Sequence, residues 1–240
     1  RIILMPPKPL GRKAYGSIPH LPGSRLGPAD HTIDPGQALI ATKKARDGND
    51  LVLVQEKLDG SNCAVAKVDG KVLAIQRAGY LADSSPYEQH QMFARWVEVH
   101  AKRFDGLLKE GERLCGEWLI QAHGTRYELR HEPFVAFDLM REDKRATYHD
   151  FLLRALPFGF VVPRLLHMGS SFSVDKMMEA IAASGHGALD PVEGAVWRVE
   201  REGRVDFLTK FVRNDKEDGK WLPEIGGGIP HWNGLLEEWL

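Results

Sequence analysis

The residues of this chain that could do chemistry recur at the ends of short apolar runs. Lys57 follows VLVQE and opens KLDGSN (57–62), with Asp59-Gly60 close behind it. Glu117 sits inside LCGEWLI and Asp138 inside FVAFDLM; Glu193 opens EGAVWR; Lys210 and Arg213 flank Phe211-Val212 in LTKFVR. Singly, each has a plain reading. Asp59-Gly60 makes an ordinary hairpin turn, a strand carboxylate can face an edge, and strand-end cations are usually surface. Together, a lysine with a close aspartate, further carboxylates and a second lysine at similar points of successive β-runs meet the demands of phosphate chemistry on a nucleotide. A lysine nucleophile must be neutral, so the Lys57 pKa is expected to fall from about 10.4 through desolvation or neighbouring cations. Lys210 is a candidate for such a cation and for holding a phosphate. Carboxylates bind hard divalent metals through oxygen, and an aromatic such as Phe137 can stack on a base.

These residues need rigid elements. LVLVQEKL, NCAVAKV and KVLAIQR are β-rich runs separated by Asp-Gly at 59–60 and 69–70, the pattern of a hairpin meander. Apolar residues at Met92, Phe93, Trp96, Val97, Val99, Phe104, Leu107 and Leu108 predict a helix over 87–109. RLCGEWLI and PFVAFDLM read as buried strands, 147–156 as a helix, and GFVVPRLLHMG as a strand broken at Pro163. Ser173 predicts an N-cap for a helix running to about Ala183. EGAVWRVE and VDFLTKFVR read as a strand pair joined around Gly203. The expected class is α+β, with antiparallel sheets flanked by helices.

The organisation expected is an extended arm over 1–50, a core over 51–213 and a short extension over 214–240 with a terminal helical turn. The arm is rich in Pro and Gly; its GSRLGPAD stretch offers either a structural wrap or backbone N–H groups and Arg25 for a phosphate. With 32 Lys+Arg against 33 Asp+Glu the formal charge is -1, so any nucleic-acid surface has to be local. There is no apolar run of about 18 residues and no signal-peptide pattern. Cys63 and Cys115 make no disulfide framework, which points to a reducing, cytoplasmic setting. No CxxC or HExxH spacing occurs, so a dedicated transition-metal site is not expected.

In order along the chain, KLDGSN (57–62), QRAG (76–79), GEWL (116–119), FVAFDL (134–139), EGAVWR (193–198) and LTKFVR (208–213) resemble the motifs of the covalent nucleotidyltransferases, the polynucleotide ligases and mRNA capping enzymes. The nearest resemblance is to the ATP-dependent RNA ligases of the RNA-repair type, which GEWLIQAH and KAYGSIPHLPGSRLGPAD also resemble. It covers about residues 13–213. It implies an adenylyltransferase domain of ATP-grasp-like ligase fold, with ATP and Mg2+ or Mn2+ as cofactors and RNA ends (5′-phosphate and 3′-hydroxyl) as partners.

It also implies roles. Lys57 would take AMP from ATP as a lysyl-AMP, pass it to a 5′-phosphate end and let a 3′-hydroxyl displace it. The Glu56 backbone would read the adenine amino group, with Phe137 and Val196 covering the two faces of the ring. Glu117 would bind a ribose hydroxyl, Asn62 would lie near the phosphate, and Arg77 would contact the ribose or the 5′-phosphate. Asp59-Gly60 would keep the backbone close to sugar and phosphate. Glu193 would hold the metal and Lys210 the α-phosphate.

Two positions depart from the family pattern: Gln76 precedes Arg77 where serine is usual, and Leu208 stands where a first lysine is often found. The 27 residues after Arg213 are too few for the OB-fold domain that follows the core in DNA ligases and capping enzymes, so a partner protein supplying a nucleic-acid-binding domain is an expectation. Candidates for RNA phosphate contact are Arg25, Lys43, Lys44, Arg126, Arg130 and Arg213. The alternatives are a DNA ligase core acting on DNA ends, a guanylyltransferase, and an end-binding protein of the same fold without turnover.

Overall fold

The structure, a computed structural model, describes residues 7–234. The chain runs through a helix, Pro35–Thr42 (α1), then strands Asp50–Lys57 (β1), Ser61–Val68 (β2) and Lys71–Gln76 (β3). Helices Glu88–Val99 (α2) and Ala101–Leu107 (α3) lead to strands Glu112–Trp118 (β4), Phe134–Arg141 (β5) and Lys144–Arg145 (β6). Helix Tyr148–Ala155 (α4), strand Leu165–Gly169 (β7), helix Val174–Ala180 (α5) and strands Gly194–Arg201 (β8) and Arg204–Val212 (β9) complete it. Among the described residues no helix is long and apolar enough to cross a membrane.

The strands form two antiparallel sheets, one in the order β7-β1-β8-β9 and one in the order β3-β2-β4-β5-β6. The expected class, antiparallel sheets flanked by helices, is the one observed. The outer face of the first sheet buries Val52, Val54, Trp197 and Val199 against Ala38 and Ala41 of α1 and Met177 of α5. The outer face of the second buries Val65, Leu114, Trp118 and Phe134 against Phe93 and Trp96 of α2 and Phe104 of α3. Side chains of this size are the main apolar contribution to a core.

Three expectations need correction. β1 and β2 do not pair with each other: Asp59-Gly60 carries the chain from one sheet to the other, and a Cβ on Gly60 would lie 2.5 Å from the Trp118 carbonyl oxygen. Only glycine allows that approach. Asp69-Gly70, by contrast, is a true hairpin turn, with φ of +50° and +70°. The 87–109 helix is two helices, broken at His100 (φ −100°, ψ 13°), whose Nδ1 lies 2.8 Å from the Trp96 carbonyl oxygen. The arm holds a helix: the Asp34 carboxylate accepts from the N–H groups of Gly36 and Gln37, and Pro35 starts the first turn. The Ser173 cap is present, accepting from Lys176 N. The terminal helical turn falls on 235–240, outside the described residues.

Candidate active site between the two sheets

The two sheets face each other across a cavity of about 470 Å³. β1 contributes Gln55, Glu56 and Lys57, β8 Val196 and Arg198, and β9 Leu208 and Lys210. The facing wall holds Ser61 and Asn62 of β2, Glu117 of β4, Phe137 and Asp138 of β5, with Arg77 just past β3. The site is therefore built from strand ends whose pairing is fixed by the sheets, which is how a scaffold holds side chains to a set geometry.

Lys57 stands at the centre of charge. Its Nζ lies 2.6 Å from Glu193 Oε2. Burial pulls its pKa down, but the carboxylates of Glu193, Glu117 and Asp59 outweigh burial and raise it above the ordinary lysine value. The fall expected from sequence is thus reversed, because the nearest partners are anions rather than cations. Glu193 itself is pushed up by burial, against the pull of Lys57. Glu117 is pushed up to about 7, chiefly by burial, although Lys57 and the Gly60 N–H, 3.1 Å from its Oε1, draw it down. Lys210 is drawn down by burial and by the nearby Lys57 charge; its Nζ is 3.9 Å from Asp30 Oδ1.

The turn after Lys57 is tied down chiefly through Asp59. The Asp59 N–H donates to the Tyr127 hydroxyl at 3.0 Å, and the Asp59 carboxylate accepts from Gly124 N at 2.9 Å and pairs with Lys216 Nζ at 2.7 Å. Lys216 is nearly buried and also bonds the Thr125 hydroxyl. The Glu56 carboxylate is taken by Ser184 Oγ at 2.7 Å and Gly185 N at 2.8 Å, and its N–H by the Arg164 carbonyl. Asn62 Oδ1 is buried with no partner in the protein, an acceptor awaiting a donor. Phe137 and Val196 lie on facing sheets, and Tyr15 of the arm meets Phe137 edge-on at 5.1 Å.

Beneath them is a buried charge network. Asp138 takes Arg198 Nη1 at 2.7 Å, Arg145 Nε at 3.0 Å and the Tyr15 hydroxyl at 2.7 Å. Arg198 in turn holds Glu200 at 2.7 Å. Asp138 on β5 and Arg198 on β8 thus lock one sheet to the other.

Glu56, Lys57, Asp59, Gly60, Asn62, Arg77, Glu117, Phe137, Val196 and Lys210 all line the cavity, and Glu193 reaches it through Lys57. Arg25 and Arg213 do not line it; they pair with Asp218 and Asp215, each at 2.6 Å. Four N–H groups of the GSRLGPAD loop are taken within the protein: Ser24 by Leu21, Arg25 by Val212, Gly27 by Asp30 and Asp30 by Gly27. Wall residues that sequence reasoning did not single out are His90, His123 and Arg198. His90 is held between Ser61 and Ser85, both at 2.7 Å. His123 ends the GEWLIQAH stretch and Arg198 ends EGAVWR, the one signal for each; nothing local marked His90.

A search of curated proteins finds no match. Among solved structures, the Naegleria gruberi RNA ligase with PPi is similar at 19% identity and a TM-score of 0.50, over 69% of this chain and 50% of that one. A variant of the same ligase with ATP and Mn gives 18% and 0.51, over 70% and 51%. An archaeal ATP-dependent RNA ligase gives 18% and 0.46, over 68% and 42%. The chain thus spans about two fifths to one half of the length of these structures, and the Naegleria likeness shows a shared fold. The family model for RNA ligase matches residues 50–212, from the first strand of the cavity wall to the last and well over half of the sequence. By that match the chain belongs to the RNA ligase family.

Proposed function

We propose that this chain seals RNA ends through a lysyl-AMP formed on Lys57. The observation that carries the reading is the placement of Lys57: a strand-end amine in a cavity of nucleotide size, with carboxylates beside it and Lys210 on the same sheet. The Lys57 ammonium first loses a proton to solvent, and its Nζ then attacks the α-phosphorus of ATP; a P–N bond forms as the bond to pyrophosphate breaks, and pyrophosphate leaves. AMP then passes to a 5′-phosphate end, and a 3′-hydroxyl displaces it. The work is positioning and charge neutralisation.

In this reading Phe137 and Val196 sandwich the adenine and the Glu56 backbone takes its amino group. Glu117 accepts a ribose hydroxyl, and the unpartnered Asn62 carbonyl accepts a second donor nearby. Lys210, left with a weak hold on Asp30, is free to take the α-phosphate. Arg77, at the exposed rim, meets the 5′-phosphate.

The protein's donor set bears on the metal. Among the described residues no three His, Cys, Asp or Glu side chains are grouped to hold an ion. A single buried carboxylate, Glu193, suits Mg2+ or Mn2+ that arrives with nucleotide phosphates and keeps much of its water. Glu193 is the residue that would hold it. Such a cation would supply positive charge that offsets the phosphates, and Glu193, in holding it, would hold the Lys57 ammonium less tightly. The Naegleria ligase variants solved with ATP and Mn and with AMP and Mn are in keeping with this use.

The test is incubation with ATP and Mg2+, followed by peptide mapping. An AMP adduct on Lys57 that disappears in a folded Lys57→Ala protein is expected. An adduct retained in that variant overturns the reading.

A further inference from the structure

The chain carries one negative charge overall, yet two segments at one edge of the cavity mouth carry no acidic residue of their own. Residues 7–17 and 76–80 together hold Lys8, Arg12, Lys13 and Arg77 and no Asp or Glu. The two segments are bound to each other. Ala14 N donates to the Arg77 carbonyl at 2.9 Å, and Arg77 Nη2 donates to Ser17 Oγ at 3.2 Å. Gly79, at φ +95°, packs so closely that a Cβ there would lie 2.1 Å from the Arg12 carbonyl oxygen. Lys8 Nζ sits 4.8 Å above the Tyr80 ring.

The result is a continuous ridge. Gly16, Gln76, Arg77 and Ala78 form part of the cavity wall, so the ridge starts at the reacting end and runs outward. Lys13 and Arg77 are exposed, and Lys8, Arg12 and Tyr80 are half-exposed. Arg12 has a partner, Asp143 at 2.9 Å, whose side chain is 93% exposed. A pair in that setting contributes little and exchanges readily for a phosphate.

Cations spaced along a ridge, with an aromatic face among them, match the phosphate backbone and one unstacked base of a single strand. The other cations considered for RNA are less suited: Arg126 is held by the mostly buried Asp190, Arg25 and Arg213 sit in ion pairs less exposed than that of Arg12, and Lys43 and Lys44 lie at the end of α1, away from the cavity wall.

We propose that the ridge of Lys8, Arg12, Lys13, Arg77 and Tyr80 carries the RNA strand whose 5′-phosphate enters the cavity. Arg77 meets the reacting end, Arg12 and Lys13 meet backbone phosphates farther out, and the Lys8–Tyr80 pair offers a stacking position. This rests on the RNA-sealing reading, because that reading supplies the strand.

The experiment is fluorescence anisotropy of a labelled, 5′-phosphorylated single-stranded oligoribonucleotide with the full chain over a range of salt. Lys8→Ala, Arg12→Ala and Lys13→Ala combined are expected to weaken binding at least about tenfold and to reduce the salt slope by about 2, at roughly 0.7 per lost contact. Tyr80→Ala weakens binding and leaves the slope in place. Lys43→Ala with Lys44→Ala keeps the native affinity and slope. Thermal melting shows that these surface variants fold. A triple variant that binds as the native chain does, a loss that follows Lys43 and Lys44 instead, or a native chain that does not bind the strand overturns the ridge. Lysyl-AMP formation is scored separately. A native chain that forms the adduct while its triple variant binds normally loses the ridge and keeps the enzyme; a chain that binds through the ridge and never forms the adduct keeps the ridge and loses the enzyme.

Discussion

Lys57 Nζ and Glu193 Oε2 stand 2.6 Å apart, although 136 residues separate them in the chain. β1 pairs with β8 so that Lys57 lies opposite Gly194, which places the Glu193 carboxylate beside the amine. In this arrangement the nucleophile of the proposed reaction is held as an ammonium, and the carboxylate that raises its pKa is also the residue proposed to hold the cation. Resting protection and metal-dependent release of the amine would then share one side chain.

Glu193→Gln separates these two effects. Removing the anion lowers the Lys57 pKa, so an amine-directed reagent should label Lys57 at lower pH than in the native chain. Lysyl-AMP formation should nevertheless fall by about 10²-fold or more, because the charge that positions the cation is gone. Labelling by peptide mapping and single-turnover adduct formation check the two halves. Faster adduct formation in Glu193→Gln would contradict the second role.

Glu117 gives a prediction in pH. Its pKa stands at about 7 in the folded chain, against 4.5 ordinarily. The folded state therefore binds more protons than the unfolded state between those values, so this group's contribution to stability falls as pH rises through that window. Glu117→Gln removes the loss. It should raise the melting temperature by several degrees at pH 8, where the rise from 4.5 to about 7 costs at most about 3 kcal/mol, and by nothing at pH 4. Melting curves at the two pH values decide it.

The sequence was legible where a signal was local. Asp69-Gly70 between two alternating runs named its hairpin, Ser173 named its cap, and the candidate motif residues other than Asp59 lie on strands or one residue off them. Asp59-Gly60 has the same letters and a different outcome, because which sheet β2 joins is decided by β4 and β5. The helix at Pro35–Thr42 was hidden by the Pro/Gly content around it, although Asp34-Pro35 is a capping signal. The protonation of Lys57 could not be read at all, since it depends on Glu193 and Glu117, which come close only after the sheets pair.

Lys216 lies outside every motif, yet it neutralises the half-buried Asp59 two residues from the nucleophile. Lys216→Met strands that carboxylate and should cost about 3 kcal/mol of stability. Lys216→Arg, which keeps the charge, should recover much of it. Denaturant unfolding of the two variants measures both.

Asp138 and Arg198 are almost fully buried, and their bond joins the two sheets. Asp138→Leu alone leaves Arg198 short of a counter-charge and should cost about 3–5 kcal/mol. Adding Arg198→Met should return only part of that loss, because it removes the unpaired guanidinium but takes from Glu200 its partner, and a double-mutant cycle quantifies the coupling. Purely additive losses would show that the pair does not act as one unit.

The decisive measurement is the intact mass of the chain after incubation with ATP and Mg2+, followed by mapping of the modified peptide. A single AMP adduct on Lys57, absent in folded Lys57→Ala, is the expected result. A folded native chain that gains no adduct, or gains it at another residue, would contradict the assignment of Lys57 as the nucleophile.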